Sequence, residues 1–205
     1  MNFKKNSYGG SRPVFVNPPA LVLGGFELDT SAQTFAIGAI IPAGTLAICD
    51  ESTRKVKLLK SARVTAINTE DAKIVSVEHD EYLSNLFAVG DLVHIIPAVA
   101  EPATPLVEVT VTAVTEGTIT LSAAIPDLEV GDVITEIKNV SDEAAVIATF
   151  NAAVIKSVKV VDGINGIDVT KDAEMYARRV LPVPASLKTN DMLTVNPHLR
   201  YSNSL

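Results

Sequence analysis

Phe87-Ala88-Val89-Gly90-Asp91-Leu92-Val93 returns in the chain as Leu128-Glu129-Val130-Gly131-Asp132-Val133-Ile134. Between the copies lie Glu108-Val109-Thr110-Val111-Thr112-Ala113-Val114, the pair Glu116-Gly117, and Thr118-Ile119-Thr120-Leu121-Ser122. Apolar and polar residues alternate there and β-branched side chains dominate, the period-two signature of half-buried strands. Glu116-Gly117 is short enough to close a hairpin. Each Gly-Asp reads as a turn at the mouth of the next strand, because Gly accepts positive φ and Asp bonds nearby amides. Residues 87–138 therefore predict a β-rich scaffold.

Upstream, Phe35-Ala36-Ile37-Gly38 is a looser third echo, and Pro42-Ala43-Gly44 separates two apolar runs. Lys55-Val56-Lys57-Leu58-Leu59-Lys60-Ser61-Ala62-Arg63-Val64 alternates basic and apolar residues over much of its length, which predicts a strand with a cationic, edge-protecting face. His94 is expected to point outward from a strand in a structural role. Downstream, residues 142–154 are Ala-rich, with Ser141 before them and acids in the first turn, which predicts a short helix. Asn165-Gly166 reads as a hairpin turn.

Both ends read differently. Gly9-Gly10, Pro13, Pro18-Pro19 and Gly24-Gly25 break any regular element in the first thirty residues, yet Phe15, Leu21, Val22, Leu23 and Phe26 are too apolar for a solvated linker. Pro182, Pro184 and Pro197 extend the other end, which carries Leu199, Tyr201 and Leu205. Apolar segments with little periodicity lie on something else, either their own domain or a neighbouring subunit. These eight residues are the candidate partner contacts. The fold expected is mainly β: an antiparallel barrel or sandwich core, one short Ala-rich helix, and extended N- and C-terminal arms. The division expected is an arm over residues 1–30, a core over 31–140, and a helix-plus-strand region over 141–205.

Composition narrows the function classes. The 205 residues are 47% hydrophobic but contain no Trp and 5% aromatics, so large surfaces for stacking sugars or bases are scarce. A net charge of −7, dispersed along the chain, repels phosphate backbones and argues against a nucleic-acid partner. No apolar run is long enough for a transmembrane helix, and the N-terminus lacks the apolar stretch of a signal peptide. Cys49, the single cysteine, sits among Leu46, Ala47 and Ile48 and is expected to be buried.

Catalytic motifs are not found. There is no phosphate-binding glycine loop and no Gly-x-Ser-x-Gly elbow. His79, His94 and His198 stand in unrelated contexts. Glu78-His79-Asp80-Glu81 offers oxygen and imidazole ligands, but neighbouring strand residues face opposite ways and no second ligand cluster lies at motif spacing, so a surface turn is expected and no metal or cofactor is assigned.

The run Ile40-Ile41-Pro42-Ala43-Gly44-Thr45-Leu46, then Asp50-Glu51-Ser52-Thr53-Arg54-Lys55-Val56 and Lys60-Ser61-Ala62-Arg63-Val64, resembles head decoration and head-fibre proteins of tailed bacteriophages. The Val-Gly-Asp strands and the closing prolines fit the same pattern, and the resemblance covers about the first two thirds of the chain. It implies a non-enzymatic structural role on a virion, assembled in a host cytoplasm. The implied partners are the major capsid protein or other virion proteins, contacted by symmetric homo-oligomers, often trimers, with no nucleic acid and no membrane. A ligand- or glycan-binding β module with a site on residues 97–105 is the alternative from another class. An enzyme with a site gathered from distant strands is the third.

Overall fold

The computed structural model describes residues 12–22, 25–80, 82–96, 107–140, 143–146 and 149–203. Strands β1 (Phe26–Leu28), β2 (Ile40–Ile41), β3 (Leu46–Asp50) and β4 (Lys55–Leu58) precede Lys60. Strands β5 (Ser61–Ile67), β6 (Ile74–Val77), β7 (Val93–Ile95), β8 (Val111–Val114), β9 (Thr118–Leu121) and β10 (Val133–Val140) follow. Then come β11 (Glu143–Val146), β12 (Ala152–Val154), β13 (Val158–Lys159), β14 (Gly166–Ile167), β15 (Val169–Thr170) and β16 (Ala173–Tyr176). The chain closes with β17 (Lys188–Thr189), β18 (Met192–Leu193) and β19 (Leu199–Ser202).

The middle strands pair in the order β10-β5-β6-β9-β8, and β7 pairs with β10 on its other side. A bridge between Leu92 and Thr110, with Val93 N–H donating to Val109 O at 2.8 Å, joins β7 to the β8 segment. The result is a nearly closed barrel. Its interior is the inward-facing half of each strand: Ala62, Val64, Val75, Val77, Val93, Val111, Ile119, Leu121 and Ile134 are all buried together. Closing the sheet on itself removes the exposed edges that a flat sheet would present.

The barrel is two copies of one unit. Strand β5 carries Val64-Thr65-Ala66-Ile67 and β8 carries Val111-Thr112-Ala113-Val114, with a register shift at the same place in each. Gly90 N–H donates to Val111 O and Val111 N–H to Asp91 O; likewise Gly131 N–H donates to Val64 O and Val64 N–H to Asp132 O. Val77 N–H to Gly117 O is matched by Leu121 N–H to Lys73 O. Val75 pairs with Ile119 and His94 with Thr135, so a pseudo-two-fold axis runs through those two pairs.

One turn serves the whole fold. Asp91 N–H donates to Ala88 O and Asp132 N–H to Glu129 O, with Gly90 at φ +98° and Gly131 at φ +103°. This is the type II pattern, in which the third residue must accept positive φ. Ala39 N–H to Ala36 O with Gly38 at +90°, and Thr45 N–H to Pro42 O with Gly44 at +81°, repeat it. The echo at residues 35–38 is therefore the same turn, with Ala39 in the position held elsewhere by Asp.

Outside the barrel, a six-stranded sheet runs β14-β1-β4-β3-β12-β15. Its central strands are buried on both faces. Ala47, Cys49, Ala152 and Val154 enter one apolar core, while Leu46 and Ala153 enter another. A four-stranded sheet, β16-β19-β18-β17, covers the second core with Met175, Leu193, Leu199 and Tyr201.

Two expectations are corrected here. The Ala-rich segment is not a helix: residues 143–146 are strand β11 and residues 152–154 are strand β12. Small side chains at Ala152 and Ala153 suit a strand packed on both sides, and that tertiary demand overrides alanine's helix propensity. Residues 199–202, in the C-terminal segment, form β19, which lies parallel to β16 within the sheet. The six-stranded sheet also draws strands from before Lys60 and after Thr149, so the strand pairing cuts across divisions at residues 30 and 140. The N-terminal segment is extended as expected and lies on its own chain: Val16 N–H donates to Glu174 O, Tyr176 N–H to Val14 O, and Val22 N–H to Val169 O.

Candidate functional site

At one mouth of the barrel the inward-facing rows continue past the apolar core into charge. Lys60 follows Val64 and Ala62, Glu136 follows Ile134, and Asp91 precedes Val93, each two residues on and therefore on the same face. Lys60 is fully buried, and Asp91 and Glu136 are each 8% exposed. Residues 33–35, arriving from β1, close over this mouth.

Every charged group there is engaged. Lys60 Nζ donates to Asp91 Oδ2 and to Thr34 O, both at 2.6 Å, and lies 4.7 Å from the centre of the Phe35 ring. Asp91 Oδ2 also accepts Ala88 N–H at 2.7 Å, so one carboxylate holds both its own turn and the buried cation. Gln33 Nε2 donates to Leu58 O at 2.8 Å and to Glu136 Oε2 at 2.5 Å, while its Oε1 accepts Leu58 N–H at 2.7 Å. Glu136 Oε1 stands 3.8 Å from Lys60 Nζ, an ion pair beyond hydrogen-bond reach. Two carboxylates thus share one ammonium. Burial pushes the Glu136 carboxyl up to about 7; Lys60 opposes that shift, Asp91 adds to it, and the Gln33 hydrogen bond opposes it.

A cleft of about 960 Å³ opens above the cluster, lined among others by Gln33, Lys57, Asp91, Glu136, Lys138 and Thr149. Asp50, also on its wall, is occupied by its own turn: hydrogen bonds from Ser52 and Thr53 hold its carboxyl down at about 2. The arrangement contains no nucleophile with a base beside it. Chemically it is an ion lock that ties residues 33–35 and β4 to the barrel.

The residues singled out in the sequence are dispersed. Phe26 belongs to β1 and is buried in the first core, and Leu199 and Tyr201 are buried in the second, so all three are taken up by the chain's own packing. Phe15 packs partly buried on the second core and forms a bridge with Met175, Val22 packs on the first, and Leu21 is 51% exposed. Leu23 and Leu205 lie outside the described residues, as do residues 97–105. Around the metal candidate, Asp80 Oδ1 accepts the amides of Tyr82 and Leu83, its Oδ2 pairs with Arg12 at 2.9 Å, and Glu78 faces Arg63. No group of three metal-ligating side chains occurs among the described residues. His94, expected to face outward, is buried at 8% exposure, with Nδ1 2.9 Å from Ile95 O. Cys49 is buried as expected, and burial raises its thiol above the usual range.

The lysine-rich run hid the site. Lys57 is exposed, but Leu58 and Leu59 are both buried, and this break in alternation turns Lys60 inward. A doubled apolar residue in an alternating run is the signal that marks it. Comparison with protein families, with curated proteins and with solved structures gave no match for this chain.

Proposed function

We propose that this chain is a non-enzymatic structural protein of a tailed-phage virion, binding the capsid lattice as a decoration protein or fibre anchor. The resemblance of residues 40–64 to head decoration proteins motivates the reading. The observation that carries it is an exposed apolar ribbon. Ile40 on β2 pairs with Lys159 on β13, and Gly38 N–H donates to Val160 O. Ile37 is 74% exposed, Ile40 44%, Val161 49% and Ile164 78%. Several large aliphatic residues gathered on one short ribbon make a contact surface, whereas single exposed ones need no explanation. The polar groups of the barrel mouth are meanwhile consumed by each other.

The test is solution mass by light scattering for the natural chain and for Ile37→Ser/Ile164→Ser. A trimer or larger assembly that dissociates in the double variant supports a lattice subunit contacting its neighbours through the ribbon. A monomer in both removes that support. The cleft above Glu136 favours a second reading, a small-ligand-binding β module. A rise in thermal midpoint on screening saccharides and small polar ligands would favour it.

A further inference from the structure

We propose that Glu136, Lys60, Asp91 and Gln33 form a proton-operated clasp that seats residues 29–35 on the barrel mouth, closed when Glu136 carries a proton and loosened when it does not. Among the described residues Lys60 is the cation paired with both buried carboxylates, and it is already bonded to Asp91 at 2.6 Å. Removing the proton from Glu136 leaves a net negative charge in a largely buried site, an arrangement that is unfavourable unless the group is rehydrated.

The groups facing Glu136 fix how that cost is relieved. From the link between β4 and β5 comes Lys60, from the turn before β7 comes Asp91, and from the segment after β1 comes Gln33. Across the cleft stand Asp29, Asp50, Lys55, Lys57 and Lys138. Lys55 is paired with Glu27 at 2.9 Å, and Asp50, an anion held by its own turn, brings no positive charge. Lys60 and Asp91 are held by strand and turn. Residues 33–35 are the part seated by side-chain bonds: Gln33 to Leu58 and Glu136, and Thr34 O to Lys60 Nζ. On ionisation the proton leaves to solvent through the cleft, and lifting residues 33–35 lets water reach the carboxylate.

The pseudo-two-fold gives an internal control. The position matching Lys60 is Val107, 54% exposed, and the position matching Glu136 is Ile95, which packs on the barrel core. The second mouth of the barrel thus lacks the cluster, which assigns the cluster to the joint with residues 29–35 rather than to the barrel itself.

The experiment is amide hydrogen exchange from pH 5 to 8 on the full chain, corrected for intrinsic rates, with carboxyl ¹³C NMR of Glu136. The reporter is Leu58 N–H, which donates to Gln33, and the control is Val77 N–H, inside the barrel. A carboxyl moved from 4.5 to about 7 predicts that opening at Leu58 grows on the order of a hundredfold over this range while Val77 is unchanged. Glu136→Gln should flatten the profile. A carboxyl midpoint near the ordinary value, or an unchanged profile in Glu136→Gln, would overturn the proposal. The NMR titration needs only the natural chain, so the test survives if the variant does not fold.

Discussion

The two mouths of the barrel are built on the same turn and put it to different uses. At the mouth of Asp132 the carboxylate accepts Glu129 N–H at 2.8 Å, and the turn stands on its own. At the mouth of Asp91 the carboxylate accepts Ala88 N–H at 2.7 Å and then carries a buried lysine as well. Backbone and hydrogen-bond geometry repeat across the pseudo-two-fold, and side chains at two matched positions, together with Gln33 from outside the barrel, separate a plain turn from an ion lock. A repeated unit supplies the frame; departures from the repeat supply whatever is particular to one end.

The comparison breaks most severely at Lys60. Lys60→Ala leaves two buried carboxylates with no cation and should cost about 3–5 kcal/mol in urea denaturation. Val107→Ala, its counterpart, should stay within about 0.5 kcal/mol. Equal losses at the two positions would dissolve the distinction between the mouths. Next comes the pair of aspartates. Asp132→Ala should cost about 1 kcal/mol for a lost turn hydrogen bond, and Asp91→Ala about 2 kcal/mol or more beyond that, because it strands Lys60.

The glycines sharpen the shared part. Gly90→Ala and Gly131→Ala should each cost about 1–2 kcal/mol, and by similar amounts, since both have positive φ and open space where a Cβ would sit. Gly44→Ala, in the same turn type, should cost more, because its Cβ would collide with Val180 and crowd Val14. A small effect of opposite sign belongs to Tyr201. Its buried hydroxyl has no hydrogen-bond partner among the described residues, in contrast to the fully engaged clasp, and burial raises its ionisation well above the usual tyrosine range. Tyr201→Phe should therefore be neutral or stabilising by up to about 1 kcal/mol in thermal unfolding.

Acidity adds a signed expectation for global stability. The folded Glu136 carboxyl titrates at about 7, above its ordinary 4.5, so the folded chain binds more protons than the unfolded one between those values. This group's contribution therefore falls as pH rises from about 4.5 to about 7 and stays at its least favourable above that. Glu136→Gln should raise the thermal midpoint at pH 8 relative to the natural chain and change it little near pH 4.5.

Much of the scaffold was legible because alternation and turn chemistry are local. The Glu116-Gly117 hairpin and both Gly-Asp turns can be read from a few adjacent residues. The duplication was half visible: Val64-Thr65-Ala66-Ile67 and Val111-Thr112-Ala113-Val114 are near copies, but loops of unequal length put them out of step with the Val-Gly-Asp pair. Ala152 and Ala153 misled because a helix and a strand buried on both faces make the same demand for small apolar residues. Leu199 and Tyr201 misled because their partner strand, β16, is held by long-range pairing that no local pattern announces. The mouth cluster was hidden for the same reason: Gln33, Lys60, Asp91 and Glu136 meet across 103 residues of chain.

Glu136 N–H donates to Lys60 O at 2.9 Å, so the chain enters and leaves the barrel on neighbouring strands. Two ends about 5 Å apart, the ordinary spacing of paired strands, are what a graft needs. The barrel is in effect a cassette threaded into a loop of the outer sheet, and a short turn between β4 and the strand leading to β12 could stand in its place. Conversely, the same doorway could receive a different insert without asking the host sheet to move, which makes this joint a natural seam for grafting.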